Sequence, residues 1–81
     1  MITTKNARVR VRSDHKGKYG KRIKELIQVN RPGTIISPRP IEVPKIGAAV
    51  RVQFDTLRHN ARPETVWLRA EDLIEHQETL L

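Results

Sequence analysis

The stretch ARVRVRS at residues 7–13 runs directly into DHKGKYGKR at residues 14–22. Strict alternation of apolar and basic residues predicts a β-strand over Arg8–Ser13, with its valines on one face and its arginines on the other. Gly17 and Gly20 allow the backbone to reverse, so we predict a turn over residues 14–20. The valine face requires a hydrophobic core, and the arginine face requires a polyanion, nearby acids or open water.

The chain has 81 residues, of which 37% are hydrophobic, and its mean hydropathy is −0.57. These values are typical of one small globular domain rather than a disordered chain. We predict a flexible N-terminus at residues 1–6, a single domain at residues 7–77 and a C-terminal tail at residues 78–81. The sequence holds one Trp, one Tyr and one Phe, so the core must consist of Val, Ile and Leu.

Positive charge is concentrated in the first part of the chain. The formal net charge is +7, but residues 1–31 hold ten Lys/Arg against two acids, a net of +8, and residues 32–81 hold six against seven, a net of −1. A polarised basic molecule favours polyanionic partners such as nucleic acid or an acidic protein surface. The alternative is a solvated basic face that serves solubility.

Several classes of protein do not fit this sequence. It has no cysteine, which excludes disulfides and thiolate zinc sites. No apolar run approaches a membrane span, and no secretion signal is visible, so we expect a cytoplasmic protein without membrane contact. His15, His59 and His76 lack metal-ligand spacing and are expected to be solvated. We find no nucleophile–base arrangement or nucleotide-binding loop, and therefore predict no enzyme activity, metal or cofactor.

Residues 21–30 admit two interpretations. As a helix over 21–29, Ile23, Leu26 and Ile27 share one face; as a strand, Ile23, Ile27 and Val29 line up at period two. Because the helix would be short and uncapped, the strand is slightly favoured.

The later chain is predicted to contain mostly strands. Thr34–Ser37, Ala48–Phe54 and Glu64–Arg69 have strand patterns, the last with Val66 and Leu68 on its apolar face. The proline-rich residues 38–47 predict an extended loop that covers the edge of the core, or else presents an extended segment to a partner. Residues 70–77 predict a short helix or 3₁₀ turn with solvated acids. About five short strands and a short C-terminal helical turn indicate a mainly all-β fold, a small barrel.

The basic strand followed by KGKYGK at residues 16–21 resembles the KOW motif of ribosomal and transcription-elongation proteins. Val9 and Val11 match the motif's strand and Gly20 its key glycine, whereas Ser13-Asp14 stand where the family has a glycine. The second half of the chain, from GTI at residues 33–35 to EDL at residues 71–73, is similar to the later strands and terminal turn of SH3-like barrels. The resemblance implies an SH3-like barrel, a class that includes nucleic-acid binders and accessory subunits of larger complexes.

The candidate phosphate-binding residues are the arginines of the first strand and the basic and aromatic residues that follow. They are Arg8, Arg10, Arg12, Lys16, Lys18, Tyr19, Lys21, Arg22 and Lys24. Arginines two residues apart on a strand face are spaced about 7 Å, close to the spacing of phosphates in an extended strand of nucleic acid. The alternative is neutralisation of this row by Glu42, Asp55 or Glu64 from neighbouring strands.

Two aromatic residues have open roles. Tyr19 either stacks on a base or supports its own loop. Trp67 is either buried or half-buried, which the scarcity of core aromatics favours, or part of an outward interaction platform with Arg69 and Arg51.

The favoured function is a small basic protein that binds RNA or DNA mainly through phosphates, with low sequence specificity. The alternative is an accessory subunit or interaction module that docks on an acidic partner surface. Nothing in the sequence indicates an oligomeric state.

Overall fold

A computed structural model describes residues 2–56 and 61–77. Within these residues the chain forms six strands, one α-helix and one 3₁₀ turn. In chain order they are β1 (Arg8–Val11), α1 (Lys21–Gln28), β2 (Gly33–Ile35), β3 (Ile41–Val43), β4 (Gly47–Phe54), β5 (Thr65–Arg69), the 3₁₀ turn (Ala70–Asp72) and β6 (Leu73–Glu75).

All strands belong to one antiparallel sheet in which β4 is the central element. The start of β4 pairs with β3 and its end pairs with β2. On the other side of β4, the whole of β5 pairs with residues 49–53. β1 joins β2 to β6, so that the path through the sheet is β3-β4-β2-β1-β6. The predicted mainly-β fold with a short C-terminal helical turn is confirmed.

The sheet is open. Among the described residues no pairing joins β6 to β5 or to β3, so the closed barrel that would remove sheet edges is not formed. β3 is a three-residue edge strand. Its flanking residues Pro40 and Pro44 protect this edge, because proline cannot donate a hydrogen bond to an added strand.

The core lies under the concave side of this sheet. Val9, Ile35, Val50, Val52 and Leu68 are its largest fully buried side chains. They come from alternate positions of four strands, as the period-two pattern requires. The predicted match between the valine face of the first strand and the apolar faces of β4 and β5 is therefore confirmed.

Residues 21–28 form a helix, so the slight preference for a strand was wrong. Leu26 and Ile27 are both buried, which a helix allows and a strand would forbid because consecutive side chains point to opposite faces. The helix ends in a Schellman motif: the Asn30 amide donates to the Ile27 carbonyl at 3.0 Å and the Arg31 amide donates to the Leu26 carbonyl at 3.1 Å. Asn30 supplies the left-handed conformation, with φ of 54°.

Two other segments differ from expectation. The proline-rich segment contains β3, and its Ile41 and Ile46 are 44% and 45% exposed, so they do not cover the core. After the 3₁₀ turn the chain continues as β6 rather than as a helix, because Leu73–Glu75 pair with β1. The short helical turn is thus followed by a last strand.

The chain ends are described in part. Ile2 packs against the core and the Asn6 amide donates to the Ile35 carbonyl at 2.7 Å, within the segment predicted to be flexible. The tail at residues 78–81 and His59 lie outside the described residues. No helix in the described part of the chain is long and apolar enough to span a membrane.

We predict that Gly33→Ala destabilises the fold, because a Cβ at Gly33 would lie 2.7 Å from Val52 Cγ1 and 2.9 Å from the Gln53 carbonyl oxygen. Overpacking of this kind costs about 1–3 kcal/mol. Gly20→Ala is the matched control, since a Cβ there meets nothing within 4 Å. Its effect should stay below about 1 kcal/mol. Urea unfolding measures both, and equal stabilities of the two variants would contradict the close approach of β2 to β4.

Candidate nucleic-acid interface

The arginines of β1 are not equally available to a ligand. The guanidinium of Arg8 binds both carboxylate oxygens of Asp55 and donates to the Thr34 hydroxyl at 2.8 Å. Arg12, just after the strand, donates to Asp14 at 3.0 and 3.1 Å. Within the described residues, Arg10 makes no ion pair. Of the three predicted arginines, Arg10 is therefore the one without an ion pair to the described residues.

Arg22 is also engaged in an ion pair. From the first turn of α1 it donates to Glu64 through two nitrogens and to Glu25 at 3.4 Å. Hydrogen bonds from Arg22 lower the pKa of the Glu64 carboxyl, and those from Arg8 lower the pKa of the Asp55 carboxyl. Neutralisation by Asp55 and Glu64 is thus part of the fold, while Glu42 forms no described ion pair.

Asp72 holds the turn at residues 14–20 against the end of the sheet. The residue is only 3% exposed. Its carboxylate accepts hydrogen bonds from the Tyr19 hydroxyl at 2.6 Å and from the Lys16 and Gly17 amides at 3.1 Å each. A buried carboxylate needs such donors, since an uncompensated charge would be very costly.

These contacts shift the pKa values of Asp72 and Tyr19. Burial alone would raise the pKa of Asp72, but hydrogen bonds from Tyr19 and from the Lys16 and Gly17 amides, with the charge of Arg69, outweigh it and lower the pKa. Burial and the bond to Asp72 raise the pKa of the Tyr19 hydroxyl. The site therefore holds a carboxylate and a neutral phenol across the neutral pH range.

Tyr19 supports its own loop. Besides donating to Asp72, its hydroxyl accepts a hydrogen bond from the Arg69 amide at 3.2 Å, and its ring lies 5.4 Å from that of His15. A Cβ at Gly17 would lie 2.6 Å from the Tyr19 ring and 2.8 Å from Asp72, so glycine is required there. Of the two roles left open for Tyr19, the structure shows the supporting one.

A groove lies between this turn and the β3–β4 hairpin; we call it the Trp67 groove. Its floor is the outward face of β3, β4 and β5, where Ala49 lies opposite both Ile41 and Arg69 in the sheet register. Residues 16–19 form one wall and residues 45 and 46 the other, around a volume of about 630 Å³. Trp67 lines the groove and is 47% exposed, so it is half-buried on the outward face and is not a core residue.

Three lysines border the Trp67 groove without ion pairs to described residues: Lys16 and Lys18 on the turn, and Lys45 on the hairpin. Lys45 has a φ of 70°, a left-handed conformation that usually favours Gly or Asn. None of the described residues lining the groove is acidic. Part of the uncommitted positive charge therefore borders an apolar surface.

The remaining candidates divide between this groove and other surfaces. Arg51 lies opposite Trp67 in the register and donates to the Thr65 hydroxyl at 3.1 Å, and Arg69 pairs with Glu71 at 3.2 Å, so the predicted platform is brought together. Lys21 and Lys24 are exposed on α1, and Lys24 lines a separate depression beside His15. His76 is half-buried, and its amide donates to the Arg8 carbonyl.

Sequence reasoning missed four residues of this region: Ile41, Lys45, Ile46 and Asp72. The first three were assigned to a loop that covers the core edge, or alternatively to an extended segment presented to a partner, and were not named as site residues. Asp72 was assigned to a solvated face. Pro44 and Gly47 between two apolar segments were a usable signal for a hairpin, because proline is favoured at the second position of a tight turn and glycine is favoured at turns. No local signal marks Asp72, whose donors lie more than fifty residues earlier.

No protein family model, curated protein or solved structure matches this chain. In residues 2–56 and 61–77, no cluster of three or more His, Asp or Glu side chains is placed to hold a metal ion.

We predict that Asp72→Asn destabilises the protein by about 1–3 kcal/mol, because the amide presents donors to groups that are themselves donors. Glu71→Gln is the matched control: its exposed pair with Arg69 contributes at most about 1 kcal/mol. Chemical denaturation measures both. A similar loss in the two variants would show that Asp72 does not hold the turn.

We predict that stability falls in acid through Asp72 and Asp55. Both have a folded pKa below the ordinary value of 3.8, so their contribution is complete above that value and is lost as pH falls through the lowered folded pKa. In Asp72→Asn the free energy of unfolding should decline less steeply below about pH 4. Unfolding curves measured over this range would contradict the assignment if both proteins showed the same slope.

Proposed function

We propose that this protein binds nucleic acid through backbone phosphates, with low sequence specificity. The observation that carries the proposal is the set of lysines around the Trp67 groove that have no ion pair to described residues and no acidic neighbour in its lining. Lysine ammonium groups act as point charges and carry little base recognition, so contact through them favours phosphate over sequence.

We propose that the contacts lie on the turn and hairpin rather than on the strand. Arg8 and Arg22 each bind a carboxylate of a distant segment, and releasing them to a phosphate would break bonds that join β1 to the residue after β4 and α1 to the segment before β5. Arg12 is paired locally with Asp14. Lys16, Lys18 and Lys45 can bind a phosphate without breaking a described ion pair. Arg10 extends this set on the outer face of β1, where it lies opposite Ile74 of β6.

The second candidate is an accessory subunit that docks on an acidic protein surface. It is favoured by the exposed Ile41, Ile46 and Trp67, since protein interfaces often centre on such residues. We also propose that the chain is related to SH3-like proteins of KOW type, with an open sheet in place of a closed barrel. This is supported by the basic first strand, the turn after it and the 3₁₀ turn before β6. Pull-down before and after nuclease treatment separates the two functions, because a stoichiometric protein partner survives nuclease.

We predict that Lys18→Glu/Lys45→Glu lowers affinity for an oligonucleotide at least tenfold more than Lys21→Glu/Lys24→Glu does. Both double variants change the net charge by the same amount, but only the first removes charge from the groove. Fluorescence anisotropy with a labelled oligonucleotide measures the affinities.

The wild-type affinity should be micromolar at moderate salt, as expected for non-specific binding. With about three or four phosphate contacts, the logarithm of the binding constant should fall with the logarithm of salt concentration with a slope of about −2 to −4. Equal losses in the two double variants would contradict binding at the groove, and a flat salt dependence would contradict phosphate binding.

A further inference from the structure

We infer that the Trp67 groove receives an unpaired base, so that the protein selects single-stranded over double-stranded nucleic acid. The inference rests on the proposed function and adds the form of the ligand. It assigns stacking to Trp67 and leaves phosphate contact to the lysines on the two walls.

The first support is the position of the only tryptophan of the chain. Trp67 is 47% exposed on the outward face of β5, although the core contains one phenylalanine and needs apolar volume. Ile41 and Ile46 are also exposed and line the same groove. A cluster of exposed large apolar residues marks a binding surface more often than a chance arrangement.

The second support is the combination of an aromatic floor with basic walls. Lys16 and Lys18 lie on one side of the groove and Lys45 on the other, so a phosphate backbone that crosses the groove meets positive charge at entry and exit. A nucleotide carries both an anionic phosphate and a flat aromatic base. An acidic peptide would match the lysines but would leave the indole ring without a stacking partner.

The shape of the site favours single strands. In a duplex the bases stack on one another and expose only their edges, so they cannot lie flat against a tryptophan in a recess. The groove volume of about 630 Å³ lies within the range of pockets that hold small organic groups. A depression beside Arg22 holds only about 120 Å³, and its Arg22 and Glu64 are already paired.

The backbone of Lys45 supports the same conclusion. A lysine with φ of 70° is strained in a turn where glycine would not be. A strained residue that also carries a positive charge beside the groove supports a role in ligand binding, because strained residues cluster at functional sites.

The test uses the full chain, a single-stranded oligothymidylate of about 12 nucleotides and a duplex of the same length, at about 50 mM salt. We expect the single strand to quench Trp67 fluorescence and to bind at least tenfold more tightly than the duplex. Anisotropy of labelled oligonucleotides should show that Trp67→Ala weakens single-strand binding about tenfold or more and leaves duplex binding unchanged.

Trp67→Phe should retain most of the single-strand affinity, because a phenyl ring still stacks. Val29→Ala is the matched control, since Val29 is exposed at the end of α1 and does not line the groove. Circular dichroism and urea unfolding verify that every variant is folded.

The outcomes separate the two proposals. Salt-dependent binding of both probes with equal affinity and without quenching overturns the base site but leaves phosphate binding intact. Failure to bind either probe at low salt overturns the proposed function itself. Polyglutamate of similar charge serves as the competitor, and quenching of Trp67 by this peptide to the same extent would assign the groove to an acidic protein instead.

Discussion

The Asp72 carboxylate is the contact on which the arrangement of the basic turn depends. One buried side chain accepts bonds from a phenol and two backbone amides, and these groups belong to a turn with two lysines and two glycines that has little apolar surface of its own. The carboxylate thereby fixes one wall of the Trp67 groove. The buried negative charge of Asp72 thus positions the exposed lysines of the turn, Lys16 and Lys18.

The charged residues divide into two groups by chemistry. Arginines form the ion pairs with Asp55, Asp14 and Glu64: the first two bind both carboxylate oxygens, and Arg22 donates two bonds to one oxygen of Glu64. Lysines border the groove, where a mobile point charge suits a ligand whose phosphates vary in position. The net charge alone does not distinguish paired arginines from unpaired lysines. Once they are distinguished, the candidate site lies on the turn and hairpin rather than on the first strand.

The strands could be predicted from sequence because alternation at Val9 and Val11, and again at Val50 and Val52, is a local signal. The segment 21–30 was ambiguous, since three of its apolar residues match the helical period and a different set of three, with Val29 in place of Leu26, matches the strand period. The decisive Schellman motif depends on the backbone of Asn30. The outward position of Trp67 follows from the alternation that puts Val66 and Leu68 on the apolar face, although the scarcity of core aromatics argued for burial. The role of Asp72 depends on a contact between distant parts of the chain, which no local pattern encodes.

The pairing of β1 with β6 has a consequence for the order of folding. These strands lie near opposite ends of the described chain, and the bonds of Asp72 to the turn span a similar separation. Contacts between residues so distant in sequence form late, because the loop between them must close first. During synthesis the lysine turn would leave the ribosome early but gain its fixed geometry only after the last strand emerges. Incomplete chains would therefore carry the charge without the groove.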